Sequence, residues 1–495
     1  MEQFPALLIV IPLLAAPVAA ALPNNRLPWL LATAVSWVVF VLAVAVATRV
    51  VDTGVISYTM GGWAPPWGIE VRIDALNAIV LLIVSGIGAV VTPFAGRSAA
   101  DEIRKSNLSL FYCLFLLTYT GLLGITVTGD IFNLFVFLEI SSLSSYALIA
   151  LGRDRRALTA AYQYLIMGTI GATFFLIGVG LLYAITGTLN IVDLADRLPP
   201  VLDSRTAHTA FAFIVAGVGL KLALFPVHLW LPNAYTHAPS AVSAFIAATS
   251  TKVAVYVLLR ALFTVFGAEY SFERMPLQPI LIALSLVGIF VTSLLAWTQL
   301  DAKRLLAYSS VAQIGYMVVG LSLATVGGLT AAITHLFNHA LMKGALFLAL
   351  GAVAYRIGST RLRDMAGLGQ AMPWTMSAFA IGGLSLIGVP LTAGFISKWY
   401  LIVAALELGL WWLALALLAT SLIAVMYVWK VVEAAWFREL PAERRGIEEA
   451  PLSLLVPVWV LVAANIWFGI DTRYSAGLAT QAAGWLLGGQ PGAQP

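Results

Sequence analysis

Fourteen long apolar runs, separated by short polar segments, constrain this chain more than any other feature. They lie at 5–22, 28–51, 73–95, 109–127, 130–151, 160–187, 207–231, 238–265, 279–298, 304–323, 327–355, 374–406, 410–436 and 451–470. An α-helix needs roughly 20 apolar residues to cross a hydrocarbon core about 30 Å thick. Inside that core the chain must satisfy its own backbone N–H and C=O groups, which leaves helices or closed barrels. Runs of this length select helices. The expected fold class is an all-α polytopic membrane protein with 14 transmembrane helices. Composition agrees: 61% of the 495 residues are hydrophobic and 10% charged, against about 25% charged in soluble domains.

The net charge of +4 resides mostly in short loops. That distribution reads as membrane topology and not as a nucleic-acid surface, since no basic stripe with interleaved aromatics occurs. The loops opposite the termini carry fifteen Lys and Arg, Lys303 among them, and those on the terminal side carry six. The basic side is expected in the cytoplasm, with both termini outside a bacterial inner membrane. Met1 to Pro5 lacks a basic flank, so the run at 5–22 is read as a first span and not as a cleaved signal. The single cysteine, Cys113, excludes an intrachain disulfide and a cysteine metal cage.

The seventh and twelfth spans each carry an internal proline, Pro226 and Pro390. Each removes a helical hydrogen bond, so the seventh and twelfth spans are expected to be broken. Three echoes recur in the same order. Gly171-Ala172-Thr173-Phe174 is matched by Gly344-Ala345-Leu346-Phe347. Gly219-Leu220-Lys221-Leu222 is matched by Gly383-Leu384-Ser385-Leu386. Ala248-Thr249-Ser250 is matched by Ala419-Thr420-Ser421. Spans 4–8 and 9–13 therefore read as two copies of a five-helix unit, and an odd number makes the copies inverted. Paired broken helices in inverted repeats are a transporter architecture. The expected segments are 1–108, 109–266, 279–437 and 438–495.

Of seven lysines, Lys221, Lys252, Lys343 and Lys398 fall well inside apolar helices. Four ammonium groups at bilayer depth would cost on the order of 10–14 kcal/mol on insertion scales. Lys430, near a basic loop, is read as snorkelling to the headgroups. Glu139 sits mid-helix among apolar residues and serines and is expected to pair with Lys221 across a helix interface. Asp130 starts the same helix and reads as a cap, and Glu433 as a partner of Arg438. His335, His339 and Lys343 recur every four residues and share one helix face. His237 stands at the entrance to the helix of Lys252 and is a candidate relay. His228 is read as structural. A buried lysine facing a carboxylate is a workable proton carrier, because burial and the carboxylate pull its protonation in opposite directions. No phosphate-binding glycine loop, HExxH or nucleophile elbow is present.

Phe137-Leu138-Glu139, Gly219-Leu220-Lys221, Pro226-Val227-His228-Leu229-Trp230-Leu231-Pro232, His237-Ala238-Pro239-Ser240 and Lys252-Val253-Ala254-Val255-Tyr256 resemble the proton-translocating membrane subunits of respiratory complex I and their relatives, the Mrp cation/proton antiporters and membrane-bound hydrogenases. Gly62-Trp63-Ala64-Pro65-Pro66-Trp67-Gly68-Ile69, followed by Asp74, looks like the loop before helix 3 of Mrp D-type subunits. Lys398 points the same way, since the similar M-type complex I subunit has a glutamate there. The resemblance implies that Glu139 and Lys221 form a switch pair, Lys252 is the central relay and Lys398 the terminal proton site. It assigns His335, His339 and Lys343 to a relay on helix 11. It also implies no redox cofactor, partner membrane subunits, and a monovalent cation exchanged for H⁺. The alternative it leaves open is a proton-pumping subunit of a complex I or hydrogenase-type complex.

Overall fold

The computed structural model describes residues 3–23 and 26–488. Three helices come first, α1 (Phe4–Ala21), α2 (Leu27–Thr53) and α3 (Ala75–Glu102). The next group is α4 (Leu108–Val127), α5 (Ile131–Ala150), α6 (Arg155–Thr186), the short α7 (Ile191–Arg197), α8 (Arg205–Lys221), α9 (Trp230–His237) and α10 (Ser240–Leu259). A π-helical turn, Arg260–Val265, prolongs α10. Then follow α11 (Leu277–Thr298), α12 (Ala302–Ser322), α13 (Val326–Ile357), the single turn α14 (Leu368–Ala371), α15 (Pro373–Ile387), α16 (Ala393–Glu407) and α17 (Trp411–Trp436). The last described helices are α18 (Leu452–Ile470) and α19 (Arg473–Leu486). Twelve described helices are continuous and apolar enough to span a bilayer. The half-helix pairs α8/α9 and α15/α16 bring the spanning units to fourteen, in the positions expected.

The apolar runs locate helix ends to within a few residues because turn chemistry coincides with the loss of apolarity. Asp74 caps α3 in a capping box with Asn77, and Asp130 caps α5 by accepting from the Asn133 amide at 2.7 Å. Gly187 and Gly358 end α6 and α13 in the left-handed conformation that spares glycine a Cβ clash.

Both breaks fall where the prolines predict. A proline ring clashes with the carbonyl four residues earlier, and α8 ends at Lys221, just before Leu222, four residues ahead of Pro226. The carbonyls freed in this way find partners inside the bundle. Trp230 Nε1 donates to Leu220 O at 3.1 Å, and its indole stacks on Tyr164 at 4.0 Å. The second break turns through Gly388, with φ of 95°.

Glycines let the halves approach. A Cβ on Gly217 would lie 2.6 Å from Gly171 O, so α6 and α8 cross at backbone contact. A Cβ on Gly394 would lie 1.8 Å from Ser385 O, across the second break. Gly394→Ala is therefore expected to force α15 and α16 apart and destabilise the protein by about 1–3 kcal/mol or more. A thermal unfolding scan in detergent checks this, and an unchanged midpoint would show that the contact is slack.

The all-α class holds, with one small hairpin in a connecting segment, where β1 (Ile56–Thr59) and β2 (Glu70–Ile73) pair antiparallel around the Gly62–Ile69 loop. Two features depart from expectation. The segment after 470 contains α19, which packs on α3 and α13. Its apolar residues form only one face, so no apolar run marks it. Lys303, counted above with the loop charges, is 6% exposed and donates to Ala238 O at 3.2 Å. It lies in the first turn of α12, where the long stem packs inward.

Candidate functional site

Glu139 lies midway along α5 and Lys221 closes α8. The structure brings them together, with Lys221 Nζ 3.5 Å from Glu139 Oε1 and donating to Ser142 Oγ at 2.7 Å. Ser142 stands one turn beyond Glu139 on the same helix face, so one face of α5 supplies both a charge and a neutral acceptor.

Lys252 is fully buried in the middle of α10. Its ammonium donates to Ala247 O at 2.5 Å and lies 3.4 Å from Thr251 Oγ1, with no carboxylate in reach among the described residues. α13 packs against α10 and carries the next groups. His335 and His339 stack with ring centroids 5.9 Å apart and planes 2° from parallel. His335 Nδ1 lies 2.8 Å from Ser397 Oγ and Nε2 lies 2.9 Å from Gln313 Oε1, which ties α13 to α16 and α12. Neither ring nitrogen of buried His339 has a hydrogen-bond partner among the described residues. Lys343 donates to Leu306 O at 2.7 Å and to Ser309 Oγ.

Lys398 occupies the second break. Its Nζ donates to Leu386 O at 3.0 Å, Ile387 O at 2.9 Å and Ser421 Oγ at 3.2 Å, 4.9 Å from the Tyr316 ring centroid. Leu386 and Ile387 are the last residues of α15, so the cation caps the negative end of a half-helix. Lys221 likewise sits at the last turn of its half-helix α8. Each break thus pairs a helix C-terminus with an ammonium group.

His237 stands at the other end of the row. Its Nδ1 lies 3.7 Å from Asp154 Oδ2, in a cavity of about 320 Å³ that also exposes Glu102 and Lys303. The cavity opens among the loops of the basic side. His228 is buried and stacks on Phe225 at 5.3 Å. Lys430 Nζ donates to the carbonyls of Trp297 and Gln299 at 2.8 Å, at the end of α11. Glu433 pairs with Arg438 at 3.2 Å.

Every residue of the row from Glu139 to Lys398 lies within 128–424, the stretch that matches the NADH:quinone oxidoreductase/Mrp antiporter transmembrane family. The chain belongs to that family. Among relatives in the family, it is 43% identical over 483 residues to a chain named NADH-quinone oxidoreductase subunit N of Desulforudis audaxviator, covering 94% of this chain and 96% of that one. It is 32% identical over 445 residues to the D-type subunit of the Na(+)/H(+) antiporter of Alkalihalophilus pseudofirmus, covering 89% of each. Its fold superposes with a TM-score of 0.90 on a chain of the Mrp complex from Dietzia sp. DQ12-45-1b, at 27% identity and 98% coverage of both. The resemblance to D-type antiporter subunits and their complex I relatives therefore holds over nearly the whole chain.

Sequence reasoning missed the neutral partners Ser142, Ser309, Gln313, Tyr316 and Ser397. Most membrane-helix serines and threonines bond to their own backbone a turn earlier, as Thr118 and Thr120 do here, so their presence alone marks no site. Arg260 was also missed. It lies inside the run at 238–265, where it is 9% exposed and bonded to Asp74 at 2.6 Å.

Proposed function

We propose that this protein is the D-type, proton-translocating subunit of a multisubunit monovalent cation/proton antiporter, with Na⁺ the first cation to test. Protons enter near His237 on the basic side, which faces the cytoplasm. Glu139 and Lys221 act as a switch pair. Lys252 relays to His335, His339 and Lys343, and Lys398 is the terminal site. The observation that carries this reading is the Glu139–Lys221 contact of 3.5 Å at bilayer depth, beside three further buried lysines with no ion-paired carboxylate among the described residues. A cation held alone in low dielectric is costly, so a retained row of them argues for transient charging. Ammonium groups on neighbouring helices repel, so loading one favours unloading the next. His339, bare of protein partners among the described residues, is suited to bonding with water along such a path.

A second reading keeps the row and couples it to redox chemistry in a complex I-type assembly. The 43% identity to a chain named subunit N favours it. Purification of the native complex separates the two. Small membrane partners without a dehydrogenase or hydrogenase support the antiporter, and co-purifying redox subunits overturn it.

Alone, this chain is expected not to exchange cations for protons. Among the described residues no group of three or more His, Cys, Asp or Glu gathers at one point, whereas a hard cation prefers several oxygen ligands. Antiport requires a second ion coupled through differential binding to two states, so part of that path belongs to partner subunits. Liposomes containing the isolated subunit should show no sodium-dependent proton flux. Robust flux would make it a self-sufficient exchanger.

A further inference from the structure

Lys252, Tyr256 and Arg260 follow at four-residue intervals down α10 into its π-helical end, so they share a face. Each step covers about 6 Å from the middle of the helix toward the terminal side. A cavity of about 380 Å³ enters from that side, among Val55, Asp196 and Ala482, and reaches Tyr256 and Arg260. One turn of α10 therefore separates this cavity from the central lysine.

The groups in that turn are arranged to stop a proton. Tyr256 Oη accepts from Asn77 Nδ2 at 2.9 Å and from Arg260 Nε at 3.4 Å, and donates to Thr126 O at 3.2 Å. A hydroxyl has one donor and two acceptor positions, so all are taken. Its single proton points at a backbone carbonyl, which cannot hand a proton on. Asn77 is equally saturated, donating also to Thr126 O and accepting from the Asp74 amide and from Arg260 at 2.5 Å. Asp74 holds the guanidinium at 2.6 Å and offsets the cost of burying it. Arginine never releases its proton in a protein, and a fixed positive charge in a narrow passage excludes protons and cations.

We infer that Arg260, positioned by Asp74, Asn77 and Tyr256, is an electrostatic seal beneath Lys252 that keeps protons in the row from escaping directly to the terminal side. The inference rests on Lys252 being a proton carrier. The three anchoring elements are the start of α3, the end of α4 and the end of α10, so the seal also fixes where these helices meet.

The test uses the assembled complex in liposomes, with an imposed pH gradient and no coupling cation. Arg260→Gln is expected to make the gradient decay at least about five-fold faster, because the fixed charge barrier is gone. Adding Lys252→Ala should return decay to the wild-type rate, since the escaping protons come from that lysine. Should Arg260→Gln fail to assemble, Arg260→Lys, which keeps a donor for Asp74 but can release its proton when buried, serves in its place. Membranes as tight as wild type in the assembled variant would overturn the seal. A leak that survives Lys252→Ala would also overturn it, as a packing defect. Full transport by Lys252→Ala alone would instead refute the role of Lys252 in the row, and is read separately.

Discussion

Glu139→Gln and Lys221→Ala are each expected to reduce ion-driven proton movement on the order of a hundred-fold or more, the scale of a lost positioned proton-transfer group. The two side chains meet at 3.5 Å, and Lys221 has only Ser142 as a further side-chain partner among the described residues. When Glu139 is neutral, nothing nearby draws the proton onto Lys221. When Lys221 is absent, Glu139 keeps a carboxylate with no hydrogen-bond partner for Oε1. Removing one member of a buried pair costs about 3–5 kcal/mol, so Lys221→Ala should also lower the yield of assembled protein. Glu139→Gln preserves shape and keeps an amide oxygen that can accept from Lys221, so it should assemble better than Lys221→Ala and still fail to transport. Fluorescence quenching of a pH dye in everted vesicles, normalised to protein level, measures this. Activity of Glu139→Gln within two-fold of wild type would mean that the pair only holds α5 to α8.

Lys398→Arg is expected to assemble yet lose nearly all transport, by about ten-fold or more, as is Lys398→Ala. Lys398 Nζ sits among Leu386 O, Ile387 O and Ser421 Oγ, with its stem against Gly388, where a Cβ would lie 3.0 Å from Lys398 Cδ. An ammonium group fits that pocket and can give up its proton when water and field permit. A guanidinium satisfies the same carbonyls, keeps the charge at the end of α15, and never deprotonates. The substitution therefore separates a fixed charge that stabilises the break from a group that loads and unloads. Equal transport by Lys398 and its arginine variant, in the same vesicle assay, would assign Lys398 a structural role at the helix end.

Much of this was legible in the chain itself, for a physical reason. Bilayer thickness converts apolarity into helix length, so the run at 109–127 returns as α4 (Leu108–Val127) and that at 410–436 as α17 (Trp411–Trp436). Pro226 and Pro390 located both breaks because the proline ring acts on its own helix. The row of buried lysines and histidines was visible because a charge inside an apolar run has few structural excuses. These are local effects, decided within about one turn of chain. Contacts between helices depend instead on how each rod is rotated and crossed, which apolar patterning on all sides leaves open. Tyr256 meets Asn77 across 179 residues, Lys221 meets Ser142 across 79, and His335 meets Ser397 across 62. Only packing could select those partners, bury Lys303 and Arg260, and seat α19 on the bundle. The chain alone therefore determined that Glu139, Lys221, Lys252, Lys343 and Lys398 lie within apolar spans. The tertiary structure decided which neighbours surround each one, because those neighbours arrive from helices that the local sequence does not orient.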